Sequence, residues 1–249
     1  MNVPAMASTI ERRLLVNYRL DPEVTTRFLP RGLRPDLARG YAVGGICLIR
    51  LARLRPAAWP AAFGSAGVRT ENAAHRIAVV WDGPDGPERG VYIPRRDTSS
   101  RLTTLVGGRV FPGEHHHAHF SVHESADELR IAFRGSDGAA HASVQVRVDD
   151  AALRESALFD GISAASRFFR EAPVGLSARS TGPELDAVAL TTRTWTIAPT
   201  RLLDVESSFF ADPARFPAGS AELDCALLMR DIPALWTGRA APALADSRA

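Results

Sequence analysis

Short runs of alternating apolar and polar residues, cut by glycine, proline and aspartate turns, recur through nearly the whole chain, and one stretch alone has a convincing helical period. Within 75–81, His75, Ile77, Val79 and Trp81 fall on one face, while Arg76, Ala78 and Val80 fall on the other. Comparable strand patterns occupy 14–18, 41–51, 91–93, 116–124, 128–134, 142–148, 187–197 and 201–207, before a closing segment, FPAGSAELDCALLMR, at 216–230. The stretch DGPDGPERG at 82–90 reads as a turn or hairpin loop from its Asp-Gly and Gly-Pro steps. Helical spacing places Ile162, Ala165, Ser166 and Phe169 on one stripe of 159–170, which Pro173 and Gly175 close. A second, short helix starts at Asp21-Pro22, an N-cap followed by a first-turn proline, and ends at Pro30.

No solenoid repeat, heptad or low-complexity block interrupts this pattern. The expectation is a mainly β (α+β) protein with one domain over 10–237 and loose tails at 1–9 and 238–249. Its antiparallel sheet would curl into a barrel or cone with two or three peripheral helices. Periodicity by itself does not separate that arrangement from a sandwich.

Charge narrows the function. All 30 basic residues are arginine, lysine is absent, and they are offset by 28 acids to a net charge of +2. The arginines are scattered from Arg12 to Arg248 rather than striped, so nucleic acid is not an expected partner. Without lysine no side chain offers a primary amine for an imine, because guanidinium stays protonated at working pH. Coding DNA rich in G and C accounts for the bias equally well, yet the chemical consequence holds. Cys47 and Cys225 lie in apolar runs and read as buried free thiols of a reducing compartment. The longest apolar run, 41–49, is too short to span a bilayer and no signal pattern opens the chain, so a cytoplasmic protein without a membrane partner is expected.

Several anchors resemble acetoacetate decarboxylase and its relatives. Tyr18-Arg19-Leu20-Asp21 is similar to the family's Y-R-x-D, and LPRGL at 29–33 stands where the family has V-P-E-P-L. Thr70-Glu71 resembles the T-E pair carrying the active-site glutamate, and GVYIPRR at 90–96 resembles Y-P-K-K, whose first lysine forms the imine. The resemblance therefore implies that Glu71 matches the glutamate, Arg95 the imine lysine and Arg96 the lysine beside it. It also implies a site arginine near Arg12 or Arg13. An uncharacterised, actinobacterial-type branch of this superfamily resembles nearly the whole chain, through GVYIPRRDTSSRL (90–102), SSFF (207–210) and ELDCALLMR (222–230). A closed β-cone of the acetoacetate-decarboxylase-like type, with a pocket around Glu71 and Arg95, is what this resemblance implies.

Two guanidinium groups and a carboxylate in one pocket suit a carboxylate or enolate, with Glu71 moving a proton. A structural ion pair is the alternative. Asp97 and Ser99 would line that pocket or cap a turn, and His75 is either a satisfied core histidine or a pocket residue. The cluster EHHHAHFSVHE at 114–124 would place His115, His117, His119 and His123 on one side of a strand. A solvated histidine face is expected there, with a metal site at His115, His117 and His119 as the alternative. Glu222, Asp224 and Arg230 surround Cys225 in the closing strand, for acid–base work or to tie that strand down. No nucleophile elbow, Walker loop or dinucleotide fingerprint is present.

The expected protein is thus an enzyme of lyase, isomerase or cyclase type on a small oxo-acid or enolisable carbonyl compound, working without an imine or a cofactor. The alternatives are a non-catalytic binder of a small anionic metabolite and a histidine-dependent metalloenzyme. The resemblance also makes a homo-oligomer plausible.

Overall fold

The alternating runs become thirteen strands that pair into one sheet, because each strand's apolar face can be buried only against the sheet's own far side. The computed structural model describes residues 5–60, 62, 69–105, 113–150, 152–178 and 184–242. The elements are β1 (Met6–Leu20), α1 (Pro22–Phe28), β2 (Arg34–Pro35), β3 (Leu37–Ala38), β4 (Tyr41–Pro56), β5 (Thr70–Gly83), β6 (Gly86–Thr98) and α2 (Arg101–Leu105), then β7 (His115–Glu124), β8 (Glu128–Gly135) and β9 (His141–Val148). A 3-10 turn (Ala152–Glu155) precedes α3 (Ile162–Arg170), β10 (Val174–Ala178), β11 (Leu185–Thr192), β12 (Ala198–Ser207) and β13 (Ala221–Arg239).

The strand order β6-β7-β8-β9-β12-β13-β1-β4-β5 returns to β6 and closes a nine-strand ring. A second closure uses β10 and β11: β10 pairs with β6 and β11 with β13. The wall β13-β1-β4-β5-β6 therefore has two enclosed sides. The larger apolar cluster, including Leu14, Val16, Ile46, Ile77, Phe133 and Val144, fills the nine-strand ring. The smaller one, including Leu15, Cys47, Ile49, Phe159, Phe169 and Leu227, lies on the other side beneath α3.

Three expectations are corrected. The sheet is mixed rather than antiparallel, since β6 runs parallel to both β7 and β10. Parallel neighbours need crossover connections, and α2 and α3 lie in the segments that supply them. The chain expected to be loose at 1–9 is strand from Met6 onward, pairing with both β4 and β13, and β13 runs through Arg239 into the expected C-terminal tail. The strand expected over 187–197 ends at Thr192. The short helix is capped as its sequence predicts, with the Asp21 carboxylate accepting from the Glu23 and Val24 amides at 2.8 and 3.0 Å. Among the described residues, no helix is long and apolar enough to cross a membrane.

Candidate functional site

Side chains alternate along β5 and β6, so their residues sort onto the two sides of the shared wall. Glu71, His75, Arg95 and Asp97 face into the nine-strand ring, as does Arg12 of β1. Arg96 faces the other way. The pocket expected to join Glu71, Arg95 and Arg96 is therefore divided by the sheet itself.

On the inner side, register places Arg230, Arg12, Arg50 and Glu71 in one cross-strand row. Glu71 accepts from Arg12 Nη2 at 2.5 Å and from Arg50 Nε at 2.6 Å. Glu124, reaching in from β7, accepts from Arg12 at 3.2 Å, from Arg50 at 3.4 Å and from Arg230. Burial raises the Glu124 pKa, but Arg230 and Arg12 outweigh it and hold the carboxyl below its usual range. Arg95 is likewise held by Asp97, with contacts at 2.7 and 2.9 Å, and by Asp137 at 2.9 Å. Burial raises the Asp97 pKa against the pull of Arg95. Both expected cation sites on this face are thus filled by the protein's own carboxylates, and a cavity of about 330 Å³ remains beside Arg95, His116 and Phe209.

His75 is fully buried and stacks on Phe209 at 4.6 Å between ring centroids. Burial, reinforced by Arg95 and Arg215, pushes its pKa down to about 3, so the ring is neutral, and neither nitrogen has a hydrogen-bond partner among the described residues. Ser99 ties β5 to β6: its hydroxyl accepts from the Glu71 amide at 3.0 Å, and its own amide donates to the Glu71 carbonyl at 2.9 Å. His117 bonds Ser136 at 2.7 Å, and His115 bonds the Gly113 carbonyl at 3.1 Å. Among the described residues, no three His, Cys, Asp or Glu side chains come together so as to hold a metal ion, so the geometry does not gather His115, His117 and His119 into a ligand set.

The outer side of the wall brings Arg96, Arg13 and Cys47, each named from the sequence, together with Arg76, which was not read as a site residue. Arg13 (β1), Cys47 (β4), Arg76 (β5) and Arg96 (β6) line a cavity of about 500 Å³, together with Phe169 of α3, Trp195 and Trp236. No carboxylate or imidazole belongs to its described lining. Arg76 is 2% exposed; its Nη2 donates to Asn17 Oδ1 at 2.5 Å and its guanidinium stacks on the Phe169 ring at 4.8 Å. Its Nε and Nη1, both buried, have no hydrogen-bond partner among the described residues, and the same is true of Arg96 Nη2. Burial lowers the pKa of both Arg76 and Arg96 to about 10, which leaves them charged at neutral pH.

Small residues make room for these side chains. Gly45 sits between Asn17 and Arg76 in the register, and a Cβ there would lie 2.2 Å from the Val16 carbonyl oxygen. Ala74 separates Cys47 from Arg96 in the next row. Gly175 packs against Arg96, with Nη2 3.5 Å from where its Cβ would be. The available signal was an arginine on an otherwise apolar strand face, Ala74-Arg76-Ala78, opposite a Gly-Gly pair. Nothing in one strand's pattern shows which other strands bring their arginines beside it.

A family model described as an uncharacterised conserved protein, DUF2071, matches residues 7–223. No curated protein matches the chain by sequence. Among solved structures, the enduracididine biosynthesis enzyme MppR complexed with pyruvate superposes with a TM-score of 0.60 at 14% identity, covering 96% of this chain and 90% of that one. An acetoacetate decarboxylase-like enzyme from Sphingomonas wittichii RW1 gives 0.60 at 15% identity, covering 97% and 93%. Acetoacetate decarboxylase from Legionella pneumophila gives 0.53 at 15% identity, covering 97% and 89%. The fold is that of the acetoacetate-decarboxylase-like proteins.

Proposed function

The chain belongs to the DUF2071 family, and from that premise we propose that this member holds a small organic anion in the cavity lined by Arg13, Arg76 and Arg96. The observation that carries the proposal is the set of buried guanidinium N–H groups without hydrogen-bond partners among the described residues, in a cavity whose described lining contains no acid. An unpaired buried charge costs several kcal/mol, and an anion arriving there supplies both the counter-charge and the missing acceptors. Guanidinium forks suit a carboxylate or phosphate, while Phe169, Trp195 and Trp236 suit a flat or apolar body.

A second reading makes the bound anion a substrate. It is supported by solved structures of the same fold that are enzymes, one of them complexed with pyruvate. The chemistry would then be stabilisation of an enolate or oxyanion by guanidinium, since the chain has no lysine for an imine. Glu71 is not placed to serve as base for that cavity, because it stands on the other side of the wall between Arg12 and Arg50.

Thermal-shift and calorimetric titration in low-salt buffer, with pyruvate, phosphate and aromatic carboxylates, tests the binding. At least one anion is expected to stabilise the protein, and Arg96→Gln is expected to weaken it about tenfold or more, the loss of a charged hydrogen bond. Equal response of wild type and variant, or no response to any anion, would refute the proposal. Turnover of a bound oxo-acid then separates substrate from ligand.

A further inference from the structure

Cys47 carries the one thiol among the described residues that line the arginine cavity, and a thiol is a nucleophile through its thiolate form. Its Sγ accepts from Arg13 Nε at 3.3 Å. Across β5, only the methyl group of Ala74 separates its row position from Arg96. The thiol also acts electrostatically on both Arg76 and Arg96. Three cations of the cavity wall, Arg13, Arg76 and Arg96, thus share the cavity with the sulfur, with Arg13 in contact with it. Two of them, Arg76 and Arg96, have buried N–H groups without a hydrogen-bond partner among the described residues.

The other cysteine, Cys225, is not in the described lining of this cavity. It is also buried, but burial and the neighbouring Asp224 push its thiol up, which keeps it protonated and inert.

We propose that Cys47 is a nucleophile toward an anionic carbonyl compound docked on Arg13, Arg76 and Arg96, an inference that rests on the anion-binding reading above. The sulfur forms a bond to the carbonyl carbon as the C=O π pair moves onto oxygen. The thiol's proton ends on that oxygen, giving a hemithioacetal or hemithioketal. Nothing is oxidised or reduced and no group leaves. The guanidinium groups hold the compound's carboxylate and stabilise the oxygen as charge develops on it. The ligand class is thus an oxo-acid rather than any small anion.

The test uses the native protein in low-salt buffer with two alkylating reagents of similar size, anionic iodoacetate and neutral iodoacetamide, followed by peptide mapping. Cys47 is expected to react about tenfold faster with iodoacetate, an attraction of about 1.4 kcal/mol. Cys225 is expected to stay unmodified until the protein unfolds, and Arg76→Met to abolish the preference. Glyoxylate is expected to protect Cys47 more strongly than glycolate, which has no carbonyl to attack. No preference for iodoacetate, or equal protection by the two acids, overturns the nucleophile. If anions still stabilise both wild type and Cys47→Ser in that case, the binding site stands without it. If they stabilise neither, both readings fall.

Discussion

Replacing Arg76 with methionine should make the ligand-free protein more stable and the anion-saturated protein less so. Burial lowers the Arg76 pKa to about 10, and at about 1.4 kcal/mol per tenfold change in proton affinity this corresponds to roughly 3 kcal/mol against holding the charge there. Two contacts offset part of that cost. The bond to Asn17 and the stacking on Phe169 are together worth about 2 kcal/mol. Methionine keeps the length and apolar character of the stem, so the net expectation is a gain of about 1 kcal/mol, or about 2–4 °C in Tm for a chain of this size. A ligand at a hundred times its Kd should stabilise wild type by about 2.7 kcal/mol and the variant far less. The two unfolding curves therefore exchange order when anion is added. Urea denaturation with and without the best anion of the panel measures this. A variant at least 1 kcal/mol less stable than wild type in anion-free buffer would refute the reasoning, because Arg76 would then be a structural partner rather than a waiting cation. So would a variant that keeps the full anion response.

Two further outcomes follow from named contacts. His75 and His115 have pKa values lowered to about 3 and about 4, first by burial and then by neighbouring arginines. The unfolded chain therefore takes up protons that the folded one refuses, and stability falls as pH drops below about 6.5 toward 4. His75→Leu should flatten that part of a stability-against-pH curve measured by urea denaturation, and an unchanged slope would exclude His75 as a source. Gly45→Ala should cost more than about 2 kcal/mol in the same assay, since its Cβ would meet a backbone oxygen rather than a movable side chain. Wild-type stability in that variant would contradict the close approach of β4 to Val16.

Residues that act within one element were legible. Asp21-Pro22 announced a capped helix, and the helix of 159–170 begins three residues late, at Ile162. β5 and β13 extend their predicted strands, while β2, β3 and β10 were not read at all. The two dipeptide strands β2 and β3 are too short to show a period, and β10, in VGLSA, is buried on both faces and does not alternate. The parallel pairs of β6 escaped for a different reason, because alternation carries no information about direction.

The candidate site divides along the same line. The sequence by itself determined that the chain is mainly strand and that it has no lysine for an imine, but it left Arg95 and Arg96 expected in one pocket, because the strand pattern was read only over 91–93. Only the tertiary structure decided which side is free. It set Glu71 against Arg12 and Arg50 and Arg95 against Asp97 and Asp137, while Arg13, Arg76 and Arg96 meet around Cys47 with no acid in the described lining. A pattern of charges along a chain fixes how many of each sign exist and which way each points within its strand. Whether a given cation is neutralised depends on residues up to more than a hundred positions away, as Glu124 is from Arg12 and Arg230, and closure of the sheet brings these together.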